Sequence, residues 1–104
     1  QMCIRDRYDY LVIRSFGNKD TERIWHGQYV KRINRSVQRA VLRKLELIYA
    51  AKNLADLRIP PGNRLERLVG DRHGQYSIRV NAQWRLCFIW REGGAENVEL
   101  VDYH

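Results

Sequence analysis

The sequence is poor in the residues that cross-link small proteins, and it has no long apolar run. Among its 104 residues it contains two cysteines, Cys3 and Cys87, and their separation fits neither a disulfide framework nor a metal-ligand motif. No apolar stretch approaches the roughly 20 residues of a membrane span, and no signal peptide is recognisable. We therefore expect a cytoplasmic protein without a membrane partner, in which Cys87 is a small strand side chain.

Three common kinds of active-site motif are also missing. The sequence contains no glycine-rich loop that would cradle a nucleotide, no zinc-ligand set and no nucleophile elbow. We therefore predict neither a cofactor nor a bound metal, and any chemistry has to come from acids, bases and cations of the chain.

Acidic residues are scarce in one segment of a basic chain. The formal net charge is +7, with 44% hydrophobic and 30% charged residues, as expected for a single globular domain. Residues 31–44 hold no acid and six cations, namely Lys31, Arg32, Arg35, Arg39, Arg43 and Lys44. Arginine suits bidentate contacts to phosphate, so this segment fits a nucleic acid or an acidic protein partner. A solvated helix face on a basic protein is an equally open interpretation.

The first residues differ in character from the rest. Gln1 is not a natural start, and residues 2–7 resemble a translated sequencing adapter. We expect residues 1–11 to be a non-native leader, with a first strand over residues 12–16. Residues 12–104 are then predicted to form one domain.

Two helices are predicted next. Residues 20–22 provide an acidic start for a short helix that ends near Gly27. A longer helix, capped by Asn34 or Ser36, is expected to run to about Ala51, because its apolar residues recur at helical spacing. Another face of that helix carries a basic ridge at steps of three and four residues: Arg32, Arg35, Arg39 and Arg43.

The second half of the chain predicts a meander of strands. Pro60, Pro61 and Gly62 interrupt any helix, and a short turn is expected just before them, over residues 53–57. Strand character follows at residues 65–68, 75–80, 84–90 and 98–101, with turns between. We predict an α+β fold, with two N-terminal helices packed on one face of a small, mainly antiparallel twisted sheet. The other face is left partly polar and is expected to carry Arg79 and Arg85.

A set of acids, bases and cations lies around this sheet: Glu66, Arg64, Arg67, Arg79, Arg85, Asp102, Tyr103 and His104. Metal-free cleavage of RNA needs a base for the 2′-hydroxyl, an acid for the departing 5′-oxygen and cations for the phosphorane. His104 suits either proton role because its unperturbed pKa lies near neutrality, while Asp102 can orient it and Glu66 can be a second base. Tyr103 can stack on a base or donate a proton. Considered alone, each of these residues is better explained as a solvent-exposed side chain or as one that packs in the fold than as a catalytic group.

Four segments taken together resemble one toxin family. Their order along the chain is specific, although each alone is weak. The resemblance is to HigB toxins of the RelE/ParE superfamily, most of all to their GraT-like branch, and it spans residues 12–104. The segments are PPGNRLE at 60–66, GQYSIRV at 74–80, QWRLCF at 83–88 and VELVDYH at 98–104.

The resemblance implies a fold and an activity. It implies a microbial-RNase-like α+β domain that cuts mRNA in the ribosomal decoding site without a metal, as the toxin of a type II toxin–antitoxin system. It also implies inhibition by a helix-turn-helix antitoxin, HigA, with operator DNA contacted only through that antitoxin.

Some family positions are matched here and others are not. Asp102, Tyr103 and His104 match the C-terminal acid, tyrosine and histidine of the family, and Arg85 matches an arginine near the start of the penultimate strand. Where another member has a histidine and a lysine, this chain has Glu66 and Val69. Arg64 or Arg67 can supply the missing charge. The candidate RNA-binding set is Arg79, Arg64, Arg67, Arg35, Arg39 and Arg43.

A binding module without catalysis is the competing hypothesis. Such a protein would be a ParE-like topoisomerase poison or a decayed toxin that acts only as a corepressor. Transcript 5′ ends distinguish the classes, because only an endonuclease produces new ends on translated messages.

Overall fold

A computed structural model describes residues 13–103 of the chain. The predicted leader at 1–11, Val12 of the predicted first strand and the candidate catalytic His104 lie outside the described residues. The described part forms two helices followed by four strands, which confirms the predicted α+β fold. These elements are α1 (Lys19–Trp25), α2 (Arg35–Ala50), β1 (Glu66–Arg67), β2 (Tyr76–Arg79), β3 (Trp84–Arg91) and β4 (Gly94–Asp102).

Both helices begin at asparagine caps. The side chain of Asn18 accepts a hydrogen bond from the backbone N–H of Thr21, and that of Asn34 accepts one from Ser36. The cap at Asn34 and the end of α2 at Ala50 confirm the predicted bounds of the longer helix. Within the described part of the chain, no helix is long and apolar enough to cross a membrane.

The four strands form an antiparallel sheet in the order β1-β2-β3-β4. Residues 13–16 run parallel to the outer edge of β4 through isolated bridges at Ile13 and Phe16, so the described part of the predicted first strand is not a continuous strand. Gly17 lies against β4, where a Cβ atom would approach the Cβ of Glu99 to 2.9 Å. β4 begins four residues before its predicted start, because the positive φ of Asn97 and the adjacent register shift interrupt the alternation.

The hydrophobic core lies between the helices and one face of the sheet. Val41, Leu45 and Ile48 of α2 are fully buried, as the helical spacing predicts. They form one cluster with the sheet residues Ile78, Leu86, Phe88 and Val98. Both helices therefore pack on the inner face of the sheet, and neither packs on its outer face.

The basic ridge is shorter than predicted. Arg35, Arg39 and Arg43 are exposed on α2 at steps of four residues. Arg32 precedes the helix and donates from Nε to Asp20 Oδ2 at 2.7 Å, so it is not part of the ridge. The guanidinium of Arg35 lies over the ring of Tyr29, 4.4 Å from its centroid.

The buried side chain of Asn63 holds the loop that leads into β1. Its Nδ2 donates to the carbonyl oxygens of Leu57 and Ile59 at 3.1 and 3.3 Å. Its Oδ1 accepts from Lys44 Nζ at 2.6 Å. Burial, and then the charge of Arg43, lowers the pKa of Lys44. One amide thus joins α2 to two points of the loop.

We expect Asn63→Ala to lower the free energy of unfolding by about 2–3 kcal/mol, because a buried carbonyl, a partly buried carbonyl and an ammonium lose their partner. Urea unfolding measures this change. As a control, Lys44→Met leaves both carbonyl contacts intact and is expected to cost less, about 1–1.5 kcal/mol, because it removes only the hydrogen bond to Oδ1. Unfolding of Asn63→Ala at the wild-type urea concentration would contradict this role.

Candidate active site

A row of side chains crosses the outer face of the sheet. Glu66 pairs with Ser77, Ser77 with Cys87 and Cys87 with Glu99. Cross-strand partners point to the same face, so these four side chains lie side by side. We call them, together with the three residues that contact them, the outer-face cluster: Glu66, Arg72, Ser77, Arg85, Cys87, Glu99 and Tyr103.

Arg85 is the central cation of the outer-face cluster, and the residue is only 9% exposed. Its Nε donates to Ser77 Oγ at 2.8 Å, and its Nη2 donates to the carbonyl oxygen of Arg64 at 2.6 Å. Arg64 has a left-handed φ of 46°, which belongs to the turn that presents this carbonyl. Among the described residues, Nη1 makes no hydrogen bond, so part of the guanidinium fork remains available for an anion.

Glu66 supplies a carboxylate beside that cation. Its Oε1 lies 3.6 Å from Arg85 Nη2. The Glu66 side chain is 56% exposed while that of Arg85 is 10% exposed. The carboxylate can therefore reach a substrate from solvent, whereas the guanidinium stays fixed.

Tyr103 covers the other end of the cluster. Its ring centroid lies 5.7 Å from Arg85 Cζ, and its hydroxyl is 3.8 Å from Cys87 Sγ. Burial, followed by the hydrogen bond with Cys87, raises the pKa of Tyr103 above its usual value. Burial likewise raises the pKa of the Cys87 thiol. Both groups are therefore protonated at neutral pH: Tyr103 can donate a proton, and Cys87 is not a thiolate nucleophile.

A second ion pair lies beside Tyr103. Arg72 Nη1 donates to Glu99 Oε1 at 3.1 Å, and this hydrogen bond is the main reason that the pKa of Arg72 is raised. Arg72 also donates to Gln75 Oε1 at 3.1 Å. The pair fixes the turn before β2 against β4 and adds a cation to the rim of the cluster.

The structure brings together some of the predicted catalytic residues. Glu66, Arg85 and Tyr103 meet in the outer-face cluster. Asp102 lies opposite Trp84 on β3, two residues from the buried Leu100, and its carboxylate accepts from Gln83 Nε2 at 3.1 Å. The position of His104 lies outside the described residues.

The predicted RNA-binding arginines fall into three groups. Arg79 lies on β2 directly opposite Arg85 and adds a half-buried cation to the same face. Arg64 and Arg67 are exposed around β1. The α2 residues Arg35, Arg39 and Arg43 belong to the helix layer, on the far side of the sheet from the outer-face cluster.

Sequence reasoning did not identify Arg72, Ser77 and Glu99 as site residues. Strand alternation places Ser77 and Glu99 on polar faces, but it does not reveal which residues stand opposite each other across three strands. Arg72 lies in a turn, where no periodicity applies. Cys87 is fully buried, which confirms its interpretation as a strand side chain.

Among residues 13–103, no three or more histidine, cysteine, aspartate or glutamate side chains form a group that could hold a metal ion. The chemistry that these side chains themselves offer is proton transfer next to a fixed positive charge. Such an arrangement suits a substrate that is an anion.

Comparison with known proteins identifies the family. The model for the RelE-like toxin of the type II toxin–antitoxin system HigB matches residues 7–104. This chain belongs to the HigB-like toxin family. As a HigB-like toxin it is the toxin component of a type II toxin–antitoxin system, and it pairs with an antitoxin.

Two curated proteins illustrate the similarity of this HigB-like toxin to its relatives. It is 54% identical over 65 residues to the protein named Toxin HigB-1 from Vibrio cholerae, an alignment that covers 62% of this chain and 68% of the relative. It is 44% identical over 41 residues to Endoribonuclease HigB from Proteus vulgaris, across 39% of this chain and 45% of that protein. These matches agree with the family resemblance of the four sequence segments.

Proposed function

We propose that this HigB-like toxin is a ribosome-dependent endoribonuclease that cuts mRNA in the cytoplasm without a metal ion and is neutralised by a HigA-like antitoxin. The observation that carries the proposal is the convergence of Arg85, Glu66 and Tyr103 on the sheet face opposite the helices. A similar protein is named an endoribonuclease, and a phosphodiester is the anion on which such an enzyme acts.

The proposed reaction uses the nucleophile that RNA carries. Glu66 accepts the proton of the 2′-hydroxyl while the 2′-oxygen forms a bond to phosphorus. Arg85 donates its free N–H groups to a non-bridging oxygen, where negative charge grows in the transition state. The bond from phosphorus to the 5′-oxygen then breaks, and His104 gives that oxygen a proton. The products are a 2′,3′-cyclic phosphate and a 5′-hydroxyl.

Tyr103 and Asp102 have supporting roles in this proposal. The Tyr103 ring, held beside Arg85, offers a surface on which an unstacked base of single-stranded RNA can pack. Asp102 precedes Tyr103 at the end of β4 and orients the C-terminal histidine. Arg79 adds positive charge along the path of the phosphate backbone.

Mapping of transcript 5′ ends after induction of the toxin tests the activity. We expect new ends inside translated coding regions and a loss of these ends on messages whose start codon is removed. In a purified system, the ribosome complex is first cross-linked so that it stays assembled without divalent ions. A divalent-ion chelator is then added, and we expect cleavage of the bound mRNA to persist.

The competing hypotheses give different outcomes in the same experiment. A topoisomerase poison would produce DNA breaks and an unchanged pattern of transcript ends. A corepressor without catalysis would produce neither change while still binding operator DNA through the antitoxin. Cuts that appear equally on untranslated RNA would contradict ribosome dependence.

A further inference from the structure

A cavity lies at the edge of the sheet, on the opposite side of β1 from the outer-face cluster. It opens between the 3-10 turn Leu54–Arg58 and the strands β1 and β2, and its volume is about 420 Å³. This volume falls within the range of small-ligand sites. We call it the edge cavity, and the residues that line it are Leu54, Ala55, Arg58, Leu65, Arg67 and Tyr76.

The charge of the edge cavity is entirely positive. Arg58 and Arg67 are its charged lining residues, and within residues 13–103 neither guanidinium forms an ion pair. The acidic residues nearest in sequence to Arg58 and Arg67 have other partners. Asp56 accepts from the backbone N–H groups of residues 52 and 53, and Glu66 pairs with Arg85. Two unpaired arginines over one cavity favour an anionic ligand.

The rest of the edge cavity is an apolar wall with an aromatic ring. Tyr76 stacks on the buried Phe88, with 6.5 Å between ring centroids and 30° between planes. The ring is therefore held from behind by the core. Leu54 and Leu65 are half-buried beside it. A planar, apolar group can pack here while its anionic part faces the arginines.

The edge strand connects the two sites. Neighbouring residues of a strand point to opposite faces, so Glu66 enters the outer-face cluster while Arg67 enters the edge cavity. β1 is the free edge of the four-stranded sheet. A chain-like ligand that crosses this edge would contact both places.

We propose that the edge cavity binds one nucleotide of single-stranded RNA, with its phosphate facing Arg58 and Arg67 and its base packed against Tyr76. The inference rests on the proposed function for the identity of the polymer, and it adds a second contact that guides the strand over β1. A phosphate backbone with exposed bases combines the negative charge and the planar apolar surface that this lining matches.

Binding to ribosomes that carry an uncleavable, 2′-O-methyl-substituted mRNA tests this site. We expect Arg58→Gln and Arg67→Gln each to weaken binding on the order of 5-fold, and to reduce the slope of log affinity against log salt concentration by about 0.7. Tyr76→Leu is expected to weaken binding by about 5-fold or more through loss of stacking. Lys19→Gln, which removes an equal charge from an exposed position at the start of α1, is the matched control.

The source of the RNA follows from two further arms of the experiment. A loss of affinity only on mRNA-carrying ribosomes assigns the edge cavity to mRNA, and an equal loss on ribosomes without mRNA assigns it to ribosomal RNA. Either result supports the site. The edge site is overturned if the arginine variants bind both kinds of ribosome as tightly as the Lys19→Gln control. It is also overturned if the wild-type protein binds neither kind of ribosome. Normal binding by Tyr76→Leu overturns the placement of the base.

Two readouts separate this inference from the proposed function. The first readout is the affinity of the same variants for the antitoxin. If they lose affinity for the antitoxin but not for ribosomes, the edge cavity binds a protein segment, and the inference is overturned. Cleavage of natural mRNA by the wild-type protein is measured in parallel. If the protein binds through Arg58 and Arg67 but does not cut, the proposed function fails while the edge site stands. If it cuts and the variants bind normally, only the edge site fails.

Discussion

Removal of His104 is expected to lower the rate of mRNA cleavage on ribosomes by ~10²–10⁴-fold, the usual loss when one general acid or base is deleted. The residue follows Tyr103, whose ring lies beside Arg85, and it has the only kind of side chain whose ordinary pKa lies near neutrality. Single-turnover cleavage of a programmed ribosome complex measures the rate. The alkaline arm of the pH–rate profile, where a general acid loses its proton, should disappear with the imidazole.

His26→Gln is the matched control for this deletion. His26 is exposed at the C-terminal end of α1, in the helix layer on the other side of the sheet from the outer-face cluster, and its loss should leave both the rate and the pH profile unchanged. Antitoxin affinity and urea unfolding of the truncated protein should equal those of the wild type. A truncated protein that remains fully toxic in a growth assay would exclude His104 from the chemistry.

Arg85→Gln is expected to lower the same cleavage rate by ~10²–10³-fold, as is typical when one donor to a developing negative charge is lost. The guanidinium is nearly buried, and its hydrogen bonds to Ser77 and to the carbonyl of Arg64 fix it beside Glu66. Arg85→Lys keeps the charge but replaces the planar fork with one compact ammonium, which lacks the donor spacing to reach Ser77, the Arg64 carbonyl and a phosphate together. We expect it to recover only a small part of the rate.

Arg91→Gln tests whether the effect is specific to position 85. Arg91 lies on the same strand and pairs with Glu96 at 3.7 Å on the rim of the sheet, and we expect cleavage close to the wild-type rate. Because Arg85 also supports the fold, unfolding in urea is measured for both variants. Equal cleavage by Arg85→Gln and Arg91→Gln, with both proteins folded, would remove Arg85 from the proposed mechanism.

The helices and the order of the strands could be predicted because they follow local rules. The spacing of Val41, Leu45 and Ile48 and the cap at Asn34 define α2 without reference to any other element. The alternation of β3 correctly places Leu86 and Phe88 in the core. The start of β4 could not be predicted, because the irregularity at Asn97 breaks the period of two on which strand recognition depends.

The candidate site could be predicted only in part, because it depends on register. Glu66, Arg85 and Tyr103 are candidates from their residue types and their positions around the predicted sheet, and the family resemblance adds matches for Arg85 and Tyr103. The neighbours that fix them, Ser77 and Glu99, become visible only when the pairing of three strands is known. Sequence pattern determines which face a residue is on, but not which residue stands beside it.

The edge strand β1 has a bearing on solubility. It is only two residues long, and both of its side chains, Glu66 and Arg67, are charged and exposed. An unpaired sheet edge is a template on which another polypeptide can add a strand, and short length and charge are the usual means of preventing this. The two residues that are proposed to act on RNA therefore also guard this edge against pairing with another chain, and we expect apolar substitutions at either position to favour self-association.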